Sequence, residues 1–379
     1  MLKKYRGLIA ILVILILSIS IFIIYKITNK GSNVTIFAGS GKMGAVDGNN
    51  LDAEFNLPYS LALDKDGGIL IIDCYNNKIR KVKDGKVTTV AGFIDKKDSY
   101  GLPKGGYVDD IVDKSKFNRP RAAVVDSKGN IFVADTGNNV IRKISNGVVC
   151  TFVGNVEKGY EDGFGSQAKF NMPSGLAVDK NDNIYVADTL NNVIRIITPE
   201  GKVSTFAGKA NSKGGFQEGT LNEALLNEPS SVALDSNGVV YVLDTGNQLV
   251  RKIENDKVLT FAGNNTGGLI TDTNYVQGAF KDGVGNEARL NFPKGFYVTL
   301  EGIVFIADTW NQRIRVIDQK GRVSTIAGTG VAGNKIDVQM KAEFNGPNAV
   351  LYDNGAVYIC DMRNNSIKEF KFDIGKYIK

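Results

Sequence analysis

The sequence holds 379 residues, with 46 Lys or Arg against 40 Asp or Glu for a net charge of +6, and it contains no histidine. The first 30 residues carry five of the basic residues and no acidic one, so 41 basic and 40 acidic residues remain beyond them. That balance excludes a broad nucleic-acid footprint, and three scattered cysteines (Cys74, Cys150, Cys360) exclude a disulfide framework or a zinc spacing.

At the N-terminus, Leu8 to Tyr25 is a run of 18 residues without a charge. As a helix it would reach roughly 27 Å, about one hydrocarbon core. Lys3, Lys4 and Arg6 precede it, and the exit FIIYKITNK offers no small-x-small cleavage site. The segment 1–30 is therefore expected to be a cytoplasmic stub and an uncleaved signal-anchor helix. The positive-inside bias places residues 31–379 outside the cytoplasm, in a single-pass protein of the cell membrane.

Beyond the anchor the chain repeats. A unit starts after Pro58, Pro120, Pro173, Pro229, Pro293 and Pro347, as in PSGLAVDKNDNIYVADTLNNVIRII. Its landmark aspartate falls at Asp73, Asp135, Asp188, Asp244, Asp308 and Asp361, a period of 53 to 64 residues. A further stretch of the form VxTxAG follows five of the units, while the sixth copy, Val34 to Gly39, stands before the first unit. Each unit thus predicts four short strands, a to d. The last unit lacks its own strand d, and the orphan at Val34 supplies it. That pairing closes a ring and removes the exposed edges.

The VADTxNxxIR and AVDxxGNIYVAD patterns resemble the NHL repeat family of β-propellers over about residues 34 to 372. The resemblance implies an all-β, six-bladed propeller as one domain over 31–379. The family usually carries a histidine in the Asn-rich turn, which this chain lacks.

Repetition separates scaffold from site. The strand-b Asp and the strand-c Arg or Lys recur in every unit (Asp188 with Arg195, Asp361 with Lys368) and are expected to be ion-pair scaffold. The connectors carry DGxGxxAxFNxP, as from Asp162 to Pro173 and Asp282 to Pro293, with looser copies at Asp47 and Glu218. One Asp per loop is too few for calcium, so a structured turn leading into a short helical stretch is expected.

The connectors and the b-to-c turns are expected on one face, and that face is the candidate binding face because its loops are long. Deviations from the repeat mark candidate ligand residues. Trp310, the sole tryptophan, with Tyr75 and Arg363, occupies the b-to-c turns. Tyr59, Arg121 and Lys294 follow their prolines where other units have Ser or Asn. Tyr107 lies in one of two expanded connectors, Phe93 to Arg119 and Asn264 to Phe292. Tyr, Trp and Arg are the common anchors of interfaces.

The expected function is binding of an envelope protein, peptide or glycan, with no nucleic acid and no cofactor. The alternative is a gluconolactonase-like or lyase-type enzyme with a channel-bound divalent ion. Against it, the inner strands carry no carboxylate cluster, and without histidine ordinary acid–base work at neutral pH has no ready group.

Overall fold

The computed structural model describes residues 32–210 and 212–378. The expected membrane helix lies outside the described residues. Among those described, no helix is long and apolar enough to cross a membrane.

Six antiparallel sheets form the blades of a propeller. Blade 3 shows the pattern: strand a is Pro173–Val178, b is Ile184–Asp188, c is Val193–Ile197 and d is Lys202–Ala207. Every residue of strand b is buried in blades 1 to 5, because each sheet is covered on both faces by neighbouring blades. That is why strands such as IYVAD read as apolar runs and do not alternate. The core is accordingly divided into clusters between blades. One joins Phe132, Ile141 and Val153 of blade 2 to Val186, Ile197 and Val203 of blade 3.

Four strands per blade proves too few. In blades 1 to 5 the connector adds a fifth, two-residue strand outside strand d: Gly48–Asn49, Asp110–Ile111, Gly163–Phe164, Gly219–Thr220 and Gly283–Val284. Two residues with no side-chain alternation carry no strand signal in the sequence. Single 3-10 turns follow, such as Gly165–Gln167 and Gly285–Glu287. Blade 6 has four strands, and its outermost is the N-terminal segment Thr35–Ala38, which pairs with Ser366–Lys371.

Each strand d ends in a glycine at φ near 100°, for instance 99° at Gly39 and 109° at Gly92. A Cβ at Gly39 would lie 2.6 Å from the Asn365 carbonyl oxygen, so only glycine lets the chain leave the blade there.

The recurring Asp and Arg form the expected pair, buried completely. Arg195 meets Asp188 at 2.9 Å with both side chains at zero exposure, and Arg80, Arg142, Arg251, Arg315 and Lys368 repeat the contact. The connector Asp is a second partner that the turn assignment had not included. Asp47, Asp109, Asp162 and Asp282 pair with Arg80, Arg142, Arg195 and Arg315. Aromatic rings close over the guanidinium; Arg195 lies between Tyr160 at 4.9 Å and Phe170 at 5.1 Å. Burial pushes Asp73, Asp135 and Asp188 up to about 6 against the attraction of their arginines.

Removing one partner of a fully buried pair strands the other charge. Arg195→Ala is expected to cost about 3–5 kcal/mol of unfolding free energy in denaturant titration. Asp162→Ala, whose carboxylate is 45% exposed, is expected to cost about 1 kcal/mol or less. Equal losses would show that the two halves of the clamp share the load. The closing strand is held by three registered pairs, against four to six between strands c and d elsewhere. Its amides are expected to exchange with deuterium faster than those of the other d strands.

Candidate functional site

The b-to-c turn of each blade is one 3-10 turn ended by a residue in the left-handed region: Asn77, Asn139, Asn192, Gln248, Gln312 and Asn365, at φ of 48–61°. The side-chain oxygen of each accepts from the backbone N–H of the residue before the next blade's proline. The acceptor pairs are Asn77 with Arg119, Asn139 with Met172, Asn192 with Glu228, Gln248 with Phe292, Gln312 with Gly346 and Asn365 with Leu57. These pre-proline residues also have positive φ, 45–65°. Such backbone is unfavourable for side chains other than glycine, and the inter-blade bond holds it.

The next polar residue inside the turn locks the same region from below. Asn191 donates to Asp188 at 2.8 Å and to the Gly159 carbonyl at 2.8 Å, and its counterparts in the other five blades do the same. The N–H at the tip of each turn donates to the connector: Tyr75 to Asn56, Leu190 to Asn171, Trp310 to Asn291 and Arg363 to Asn345. Connectors and b-to-c turns therefore share one face, as expected.

On that face lies a funnel of about 650 Å³ over the central channel. Tyr59, Arg121, Lys294, Tyr75, Trp310 and Arg363 all line it. The structure thus gathers every candidate except Tyr107. Tyr107 sits over Arg142 at 5.1 Å, and its hydroxyl is 2.6 Å from the Thr151 hydroxyl, as Tyr160 sits over Arg195 and meets Thr205. Tyr107 is therefore a member of the clamp. The sequence did hold the signal: Tyr107, Tyr160, Phe216 and Phe280 each stand two residues before the connector acid.

Two charged lining residues, Arg119 and Glu228, are not among the sequence's candidates. They occupy the position before proline in FNxP, the x of the repeat, which reads Leu57, Arg119, Met172, Glu228, Phe292 and Gly346. Free variation at a position whose backbone is fixed in every blade was the available sign.

The indole of Trp310 rests on Phe292 with ring centroids 4.4 Å apart, yet the residue is 58% exposed. It both packs against the expanded connector and presents a surface to the funnel. Tyr275 meets Phe292 edge-on and donates its hydroxyl to Glu228 at 2.7 Å. Burial and this bond push Tyr275 up to about 12. Arg119 lies over Tyr75 and Arg121 over Tyr59, each at 5.1 Å. Among the described residues Arg119, Arg121, Lys294 and Arg363 have no carboxylate partner. Glu228 is the only acid in the lining, so the mouth is cationic.

Below the funnel the channel narrows to about 370 Å³, lined by strand-a residues such as Leu61, Val124, Leu176, Val232 and Val350, with no carboxylate. Among the described residues no group of three His, Cys, Asp or Glu is placed to hold a metal. The funnel wall includes Cys74, whose thiol burial pushes up to about 12; Cys360 is buried and also raised, whereas Cys150 is exposed. A thiolate is the reactive form. One equivalent of thiol per chain, Cys150, is expected to react rapidly with an aromatic disulfide reagent at pH 8 in the native protein. Two rapid equivalents would show that Cys74 is open from the funnel.

The NHL repeat model matches residues 117–144, 170–197 and 226–253. SUPPRESSOR OF QUENCHING 1 of Arabidopsis thaliana is 28% identical over 288 residues, 72% of this chain and 26% of that protein. NHL repeat-containing protein 2 of Gallus gallus is 27% identical over 336 residues, covering 66% and 46%. The chain thus spans between a quarter and a half of these relatives' length. Among solved structures, an auxiliary nutrient binding protein from Bacteroides ovatus superposes with a TM-score of 0.64 at 16% identity, over 90% of this chain and 76% of that one; at that identity the likeness is one of fold. The chain is a six-bladed β-propeller, and the repeats of its blades 2, 3 and 4 match the NHL repeat model.

Proposed function

We propose that this protein is a membrane-anchored, extracytoplasmic binding module that holds an envelope protein, peptide or glycan in the funnel of its connector face. The observation that carries the reading is a contrast between arginines. Those of the clamp recur in every blade except the last, where Lys368 stands in, and are buried against carboxylates. Those of the funnel, Arg119, Arg121 and Arg363, occur in single blades and line a cavity with no acid partner among the described residues, and Arg119 and Arg121 lie over Tyr75 and Tyr59. An unpaired cation costs little where water or a ligand reaches it, and it gains most from a ligand that brings the missing charge.

Two further facts support the reading. The Bacteroides protein of similar fold is described as nutrient-binding. The described chain also enters at the opposite end from the funnel: Ser32 donates to the Lys371 carbonyl, beside Ala356 and the short a-to-b turn of blade 6. An anchor helix at residues 1–30 would then leave the funnel pointing away from the bilayer.

Full-length protein immobilised in parallel with a Trp310→Ala, Arg121→Ala, Lys294→Ala variant, and exposed to envelope extract, tests this reading. A component retained by the first and lost by the folded variant is the expected result. Retention by both would move the binding surface elsewhere, and retention by neither would overturn the binding reading.

A further inference from the structure

The funnel does not end at its rim. Toward blades 1 and 2 it shares Tyr75, Arg119, Arg121 and Met172 with a side pocket of about 430 Å³ roofed by Leu102, Pro103 and Lys104 of the first expanded connector. Toward blades 3 and 4 it shares Leu190 and Glu228 with a polar pocket of about 520 Å³ formed with Asp272, Thr273, Asn274 and Tyr275 of the second. The three spaces make one trough across the face, and the two longest connectors build its ends.

We infer that this trough binds an acidic oligosaccharide, a short chain of sugar rings bearing carboxylates. The inference rests on the binding reading above and names its ligand class. Three observations select the class. The first is charge: Arg119 and Arg121 on one side, Lys294 and Arg363 on the other, and Lys104 and Lys213 in the side pockets outnumber the acids of the trough, Asp98, Glu228 and Asp272, of which Glu228 already accepts from Tyr275. Guanidinium groups over the rings of Tyr59 and Tyr75, each at 5.1 Å, have N–H groups to offer for paired hydrogen bonds to a carboxylate.

The second is shape. Trp310 has one face backed by Phe292 and more than half its surface open, so it offers a flat apolar platform to the C–H face of a ring while the polar groups of the ligand stay wet. The trough is long and open, which suits several rigid rings whose ordering on binding costs little.

The third decides against an acidic peptide, the other ligand with regular carboxylates. A peptide that docks by strand addition needs an unpaired main-chain edge. Here the turn-tip N–H groups bond to connector carbonyls, and the pre-proline N–H groups bond to Asn or Gln side chains in all six blades. The mouth has side chains to offer and no ladder.

Because Trp310 is the only tryptophan, its fluorescence reports occupancy of the funnel directly. The full-length protein is titrated with three acidic hexasaccharides (oligogalacturonate, oligomannuronate and a heparin-derived hexamer), with methyl-esterified oligogalacturonate, and with hexaglutamate. At least one acidic hexasaccharide is expected to give a saturable change in emission. Its neutral ester is expected to bind about tenfold more weakly or less well still, and added salt should weaken the acidic ligand. Arg121→Ala and Lys294→Ala are each expected to lower affinity roughly tenfold, while Tyr107→Phe, outside the trough, leaves it unchanged; thermal melts confirm that the variants are folded.

Saturable binding of hexaglutamate without binding of any acidic sugar overturns the inference in favour of a peptide. Equal affinity for the ester overturns the role of charge. Silence from all probes overturns the ligand class, and capture of an envelope component that depends on Trp310, Arg121 and Lys294 would in that case leave the binding reading standing.

Discussion

The fold depends on a buried arginine that must be neutralised where water cannot reach it. Stripping a guanidinium and a carboxylate of water costs several kcal/mol per ion in general, and a blade offsets that cost by giving the donors partners. The two terminal nitrogens of Arg195 draw in Asp188 from its own sheet, Asp162 and the Glu161 carbonyl from the preceding connector, and the Lys169 carbonyl from the segment that leads to strand a, while its Nε has no partner. One side chain thereby fixes a strand, a loop and the entry to the blade. Satisfying the charge and placing the connector are the same event.

That constraint explains how a loop face becomes a precise site. The clamp fixes where each connector crosses the blade, the turn Asn ties it down again, and the left-handed Asn or Gln fixes the residue before the next proline. The backbone at the mouth is thus set six times over in almost the same geometry, and what varies is the side chain carried at each point. Arg121 and Lys294 stand where Ser174 and Ser230 stand in blades 3 and 4, and Trp310 stands where Gly137 and Gly246 stand. A rigid symmetric frame with asymmetric side chains holds its groups in place without each needing its own support.

Blade 6 departs from the frame and shows what the frame is for. Its cation is Lys368, which meets Asp361 and the Glu343 carbonyl but no connector acid; Asp337 pairs with Lys335 instead. An ammonium lacks the fork that lets arginine join two carboxylates. Its connector forms only a single bridge, Asn33 to Val338, and no fifth strand, whereas blade 4, whose Arg251 also meets no connector acid, keeps its fifth strand. The blade is completed by the other end of the chain, so the weakest clamp and the ring closure fall in the same place.

The sequence by itself determined the ring: six spaced landmarks, a strand signal for a to d, and two complementary deficits at the ends admit one closure. It also marked six of the residues that meet in the funnel, because a deviation at a repeated position is visible without coordinates. It held an aromatic two residues before four connector acids, Tyr107 among them, but it could not show the stack on Arg142, a contact between segments 35 residues apart. Nor could it show the fifth strands, which exist only because a neighbouring strand d offers free hydrogen-bonding groups, or the place of Arg119 and Glu228 at the mouth. Spacing along the chain fixes which residues are equivalent; only packing across blades decides which of the equivalent positions look inward, because the contacts that aim them join segments far apart in the chain.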